Sequence, residues 1–208
     1  MLDTKSIKFR MTRKHSSRNI KRSLFNTKRL DTKFDLFDKM TYPSVKMQSY
    51  KQFTWLIYAS RQLPEAYKLK LKKYRGPNIK IIYVSNFKEM NDNIATQIKE
   101  DSFTTIRLDD DDGLNPGFLK MLNKYESERG SIISAPHGNM VRLHDEGFEI
   151  RKRVNMPNIA LGLTAIGFNI YKAGAHTELH ETHRVIYDNM PNAFFLSCSQ
   201  MSDTKRRC

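Results

Sequence analysis

Two cysteines among 208 residues, Cys198 and Cys208, are too few to staple a fold, and neither belongs to a metal-site spacing. Reduced thiols in a cytoplasmic protein are therefore expected. Long apolar runs are also missing. Spanning a bilayer takes roughly 18 consecutive apolar residues, and the longest candidate, residues 159–171, is broken by Gly162, Gly167 and Asn169. No transmembrane segment is expected. The N-terminus is basic and Ser-rich but has no apolar core of a secretory signal. Its composition would pass for a mitochondrial transit peptide, a reading set aside because residues 7–11 already alternate like a first strand. No internal repeat, low-complexity tract or nucleic-acid-binding motif is present, nor a regular interleaving of aromatic with basic residues.

What remains has the composition of a globular domain, 39% hydrophobic and 28% charged. The chain is long enough to bury a sizeable core. The net charge of +14 is unevenly spread: residues 1–80 hold 21 Lys and Arg against 5 Asp and Glu, and the remainder holds 15 against 17. A basic N-terminal half suits nucleic acid, an anionic membrane surface, or an anionic small substrate such as a nucleotide diphosphate. Charge alone does not choose among them.

Hydropathy patterning predicts alternating strands and helices through residue 140. Strands are expected at residues 7–11, 53–59, 79–84, 104–108 and 131–135. Asp31 is expected to cap a helix burying Phe34, Phe37 and Met40, with Pro43 following it. Pro64 opens a second helix, residues 91–100 a third, and Asn115-Pro116 starts a fourth. This alternation argues for an α/β fold with a mostly parallel sheet and right-handed crossovers. After residue 140 the pattern changes to a hairpin about Asp145-Glu146-Gly147, a His-rich helix, and a last strand at residues 193–198.

The run Asp109-Asp110-Asp111-Asp112 ends the strand at 104–108. In an extended chain Asp109 and Asp111 would face one way, Asp110 and Asp112 the other. Like charges about 4 Å apart repel by several kcal/mol at an effective dielectric of about 20. A divalent cation, Arg107 or bulk water must offset that. Ligands of parallel α/β sheets bind at the carboxyl ends of strands. Hard carboxylate oxygens suit Mg²⁺ or Mn²⁺, which commonly take one or two carboxylates plus substrate phosphates. The bland alternative is a solvated acidic turn.

Thr12-Arg13, Leu36-Phe37, Pro43-Ser44, Gln48, Phe53-Thr54-Trp55-Leu56 and Arg107-Leu108-Asp109-Asp110-Asp111-Asp112 occur in an order and spacing that resembles a rhamnosyltransferase family with the GT-A glycosyltransferase fold. That family is found in bacteria and some large viruses. The match covers roughly the first 120 residues well and the rest loosely. The resemblance implies a Rossmann-like nucleotide-diphospho-sugar transferase fold: one GT-A-like domain over residues 1–208, or one domain of a longer protein. Residues 1–140 would bind nucleotide-sugar and metal, and 141–208 would form the acceptor side. It implies a donor site with Thr12, Arg13, Arg107, Asp109 and Asp110, and an Asp-x-Asp metal motif of Asp109 and Asp111 for Mn²⁺ or Mg²⁺. Family members often carry a His and an Asn near the C-terminus, where this chain reads Ser199-Gln200-Met201-Ser202-Asp203.

On such a site the metal neutralises the departing diphosphate. Lys14, Arg18, Lys21 and Arg22 are either further phosphate contacts or solvated surface. His176, His180 and His183 would share one face of a helix, with His176 and His180 at a zinc-like spacing but no specific third ligand. His176, preceded by Gly174, is the candidate to complete the donor metal site. Glu178 is the candidate base for the acceptor hydroxyl, with Asp145 and Glu181 as rivals. The segment 135–139 would line the donor or acceptor sugar. The expected function is metal-dependent transfer of a sugar from a UDP- or dTDP-linked donor to a glycan or other hydroxyl acceptor, with no nucleic-acid partner. A basic nucleic-acid-binding module and a metal-dependent phosphoesterase are the alternatives.

Overall fold

The structure is a computed structural model and describes residues 4–10, 25–98, 101–144, 147–176 and 178–198. Period-2 alternation in the second strand, β2 (Phe53–Ser60), explains how its sheet is covered on both faces. Trp55 and Ile57 point into one apolar cluster with Phe34, Phe37 and Leu71. Leu56 and Tyr58 point into another with Met90, Ile94 and Tyr171. Seven strands form this sheet: β1 (Thr4–Arg10), β2, β3 (Ile79–Val84), β4 (Phe103–Asp109), β6 (Ile132–Ser134), β9 (Thr164–Ile166) and β10 (Val185–Tyr187). Their order is β10-β6-β9-β4-β1-β2-β3, and β9 alone runs antiparallel to its neighbours. The expected mostly parallel α/β sheet is present.

The first helix departs from expectation at both ends. Asn26 caps it by accepting the Arg29 N–H at 3.3 Å, so α1 runs Thr27–Leu36. Asp31 lies inside the helix and accepts instead from Tyr67 Oη and Lys70 Nζ, each at 3.0 Å. Pro43 does not end it. A π-turn over Phe37–Thr41, with Tyr42 N–H donating to Phe37 O, widens the ladder and carries the chain into α2 (Tyr42–Lys46). Such a bulge accommodates a proline that cannot donate its own bond. The helix α3 (Glu65–Lys72) follows Pro64 as expected. The next, α4 (Phe87–Gln97), begins a turn earlier than predicted because Asn86 caps it through the Glu89 N–H. Asn115 closes a turn by accepting the Gly117 N–H, which delays the following helix α5 to Phe118–Met121.

A second sheet holds β5 (Gly113–Leu114), β7 (His137–His144), β8 (Gly147–Asn155) and β11 (Phe194–Ser197), in the order β5-β11-β7-β8. The expected hairpin is β7–β8, kinked between Met140 and Val141. Residues 135–139 do not extend the fifth strand: β6 stops at Ser134, and His137 opens β7. Gly138 is needed there, since a Cβ would fall 2.3 Å from the Phe194 ring. The His-rich run is not one helix. Its helical part is a single turn, α6 (Leu179–Thr182), with His176 ahead of it and His183 extended beyond it, so the three histidines share no face. Cys198 is disulfide-bonded, which corrects the expectation of reduced thiols; Cys208 lies outside the described residues. Among the described residues no helix is long and apolar enough to cross a membrane.

Candidate active site

β1 lies between β2 and β4, so the chain's path through the sheet reverses on either side of it. In open α/β sheets the crevice at the carboxyl ends of such strands is where ligands bind. Arg10, the last residue of β1, is in register with Asp109, the last of β4. The four aspartates therefore begin at the switch point.

The chain does not stay extended through them. β4 ends at Asp109 and the backbone turns at Asp110 and Asp111, so these two carboxylates face the same partner rather than opposite sides. That partner is Lys33 of α1, whose Nζ donates to Asp110 Oδ1 at 2.9 Å and Asp111 Oδ2 at 2.7 Å. All three side chains are at most 10% exposed. Asp112 Oδ1 accepts from the Ser197 N–H at 2.9 Å, tying the loop to the second sheet. Asp109 stays with its own strand, where both of its oxygens lie 3.5 Å from nitrogens of Arg107.

Charge and burial oppose each other in this cluster. Burial would lower the Lys33 pKa, but Asp110 and Asp111 outweigh it and raise it, so the ammonium stays charged. Burial pushes the Asp110 carboxyl up to about 7, against the pull of Lys33 and with the help of the neighbouring Asp111. Between Lys33 and Asp110 it is the carboxyl that gives up its charge more readily. Its Oδ2 is buried with no hydrogen-bond donor, and Asp109 Oδ1 likewise has only the loose ionic contact with Arg107.

On the opposite face of β4 from Lys33, a cleft of about 340 Å³ is lined by Arg107, Tyr171, Phe87, Gly174, His176 and Leu179. The Arg107 guanidinium lies over the Tyr171 ring at 5.9 Å. His176 Nδ1 sits 3.0 Å from the Asn158 carbonyl, so it donates there when protonated and leaves Nε2 as the free ring nitrogen. Asn158 adopts a positive φ of 59°, its N–H donates to Ser134 Oγ, and its Oδ1 accepts from Tyr187 Oη. The ends of β6 and β10 and His176 are thus tied through one residue.

The structure brings together Arg107, Asp109, Asp110 and Asp111, and puts His176 in the cleft that Arg107 lines. Glu178 is exposed just before α6, its N–H donating to Ala175 O, and Glu181 is exposed one turn on. Thr12, Arg13, Lys14, Arg18, Lys21, Arg22 and Asp145 lie outside the described residues. Sequence reasoning missed Lys33, Tyr171 and Asn158. Lys33 carried a readable signal: it stands within the apolar stripe Leu30, Phe34 and Phe37, where a solvated lysine has no place. Other motif residues brace the loop. Gln48, fully buried, donates to Ser44 O and Asn115 O and accepts from the Leu119 N–H. A Cβ on Gly113 would meet Met40 and Ser44 at 3.2–3.3 Å.

Among the described residues no three His, Cys, Asp or Glu side chains converge as a ready metal cage. A hard divalent ion shared with a diphosphate needs only one or two carboxylates. The donor set fits that demand: aspartate oxygens at a strand end, with Asp110 Oδ2 and Asp109 Oδ1 lacking hydrogen-bond donors.

No curated protein matches the chain. S. aureus TarS 1-349 is similar in structure, with a TM-score of 0.54 at 9% identity over 96% of this chain and 61% of TarS 1-349. The UDP complex of that protein gives a TM-score of 0.56 at 10% identity over 95% and 61%, and its UDP-GlcNAc complex gives 0.52 at 10% over 94% and 58%. At these identities the likeness shows the fold, which is the GT-A fold, and the chain spans about three fifths of TarS 1-349. Residues 4–201 match the family described as "Putative rhamnosyl transferase". The chain belongs to that family of glycosyltransferases.

Proposed function

We propose that this chain transfers a sugar from a UDP- or dTDP-linked donor to a hydroxyl of a glycan or other acceptor, with Mn²⁺ or Mg²⁺ at the acidic loop. The observation that carries the reading is a carboxylate cluster at the β1–β4 switch point of a GT-A sheet, with buried oxygens that lack hydrogen-bond donors. Lys33 and Arg107 already stand beside the cluster, yet Asp109 Oδ1 and Asp110 Oδ2 are buried without a hydrogen-bond donor. The UDP and UDP-GlcNAc complexes of TarS support a nucleotide-sugar donor, and the family description supports rhamnose as the sugar.

Asp109 and Asp111 would hold the ion, with His176 as a further ligand. A ligating histidine commonly donates its other nitrogen to a carbonyl, as His176 does to Asn158. When bound, the ion supplies charge neutralisation to the departing diphosphate. Arg107, backed by Tyr171, would orient Asp109 and add a positive field at the same place. Thr12 and Arg13 would line the nucleotide, with Asp109 and Asp110 beside it. In an inverting reaction Glu178 would accept the acceptor hydroxyl's proton as that oxygen bonds to the anomeric carbon and the bond to the nucleotide's phosphate oxygen breaks.

A thermal-shift panel of UDP- and dTDP-sugars, each with and without Mn²⁺, tests it. Stabilisation that needs both nucleotide-sugar and metal, and vanishes in Asp111→Asn, is the expected result. A panel in which no sugar nucleotide raises Tm would overturn the reading.

A further inference from the structure

Lys33 is, among the described residues, the one lysine that is buried. It reaches the acidic loop from 77 residues away in the chain and takes one oxygen from each of two neighbouring carboxylates. Charge-assisted bonds of 2.7–2.9 Å are strong and directional. Without them the turn at Asp110 and Asp111 would bring two anions into an apolar setting with nothing between them.

We propose that Lys33 is a built-in counter-cation of the acidic loop: it fixes the turn by binding Asp110 and Asp111 and, by occupying one Asp111 oxygen, limits how tightly a divalent ion is held there. The inference rests on the reading above only in taking this loop as the cation site.

The geometry divides the labour among the acids. Asp110 is turned under α1 and 3% exposed, which makes it a member of the loop's internal frame. Asp109 faces away, toward Arg107 and its cleft. Asp111 is slightly more open: Oδ2 is bonded to Lys33, which leaves its other oxygen for an ion. A cation at Asp111 then feels the Lys33 charge a few ångströms off, a repulsion that weakens binding. The loop is shaped before any ion arrives, and the ion stays exchangeable.

The test is a Mn²⁺ titration of the full chain, followed by electron paramagnetic resonance of free Mn²⁺, alongside thermal shift with MnCl₂ alone. Lys33→Met should lower Tm without metal, bind Mn²⁺ at least about tenfold more tightly, and gain more Tm from Mn²⁺ than wild type does. Lys33→Arg, which keeps the charge, should bind Mn²⁺ as wild type does. A merely structural lysine would not separate these two variants in metal affinity. If Lys33→Met does not fold, the double variant Lys33→Met with Asp110→Asn carries the test, since it removes one charge of each sign, frees the same Asp111 oxygen, and should fold and bind Mn²⁺ more tightly than wild type. Mn²⁺ binding in Lys33→Met but not in wild type would also support the proposal. Mn²⁺ affinity equal to or weaker than wild type in whichever of the two variants folds, or no Mn²⁺ binding in any of them, would overturn it. None of those outcomes touches donor-induced stabilisation of wild type, whose absence would sink the transferase reading instead.

Discussion

Asp110 and Asp188 are both buried and both bonded to a lysine, yet their carboxyls move in opposite directions. Asp188 follows β10 with its side chain 2% exposed. Burial would raise its pKa, but hydrogen bonds from Lys124, Tyr125 Oη and the Met190 N–H outweigh that and hold it below the ordinary range. Asp110 lies deeper and has Lys33 on one oxygen alone, with Asp111 and Asp109 adding negative charge beside it. Burial then wins and pushes it up to about 7. The difference lies in depth of burial, in the neighbouring carboxylates and in the number of donors per carboxylate, and it separates an acid that serves the fold from a cluster with a perturbed carboxyl, which is where functional sites concentrate.

That contrast is broken most severely through catalysis. Asp111→Asn should cut sugar transfer by on the order of 100-fold or more, because it removes charge from the place where the departing diphosphate needs it. Its Tm without metal should change little, since Lys33 keeps Asp110. An Asp111→Asn protein that transfers sugar at wild-type rate would take the loop out of the chemistry. Asp188→Ala should do the reverse. It strips partners from Tyr125 and Met190 and should cost about 2–3 kcal/mol in a urea unfolding curve, with transfer per folded molecule unchanged. Equal stability of Asp188→Ala and wild type would mean that satisfied donors do not distinguish the two acids.

The sheet was legible because its strands are apolar runs with β-branched and aromatic residues, and β2, β3 and β4 fall within a residue or two of expectation. Helix starts were less so. Asp31 and Asn26 are both competent caps, and only the packing of Leu30 against the core selects the earlier one. A π-turn that lets a helix pass Pro43 has no local signature at all. The acidic loop was visible as a string of like charges, and its position at a strand end followed from the run before it. What offsets the charge was not: the expected candidates were an ion, Arg107 or water, whereas Lys33 comes from a helix 77 residues away in the chain from Asp110. The expected alternation of the four side chains failed for the same reason, since a buried ammonium draws two consecutive carboxylates to one side. The His-rich run misled because spacing of three and four counts only if the helix is long enough, and α6 is one turn.

The smallest expected effect is a change in slope with pH. The Asp110 carboxyl sits at about 7 in the fold against an ordinary 3.8, so between those values the folded chain holds a proton that the unfolded chain has released. Stability contributed by that proton is present at the acid end and is lost as pH rises through 7, a drift on the order of 1–2 kcal/mol after allowing for coupling to Lys33 and Asp111. Asp188 has the opposite sign. Its contribution is complete above the ordinary 3.8 and disappears only as pH falls through its depressed value, so it is silent across the same window. Unfolding free energies measured from pH 4.5 to 7.5 should therefore fall more steeply in wild type than in Asp110→Asn, while Asp188→Asn keeps the wild-type slope at a lower overall stability. Parallel curves for wild type and Asp110→Asn would mean that Lys33 holds Asp110 ionised throughout, and the two buried aspartates would then differ in degree rather than in kind.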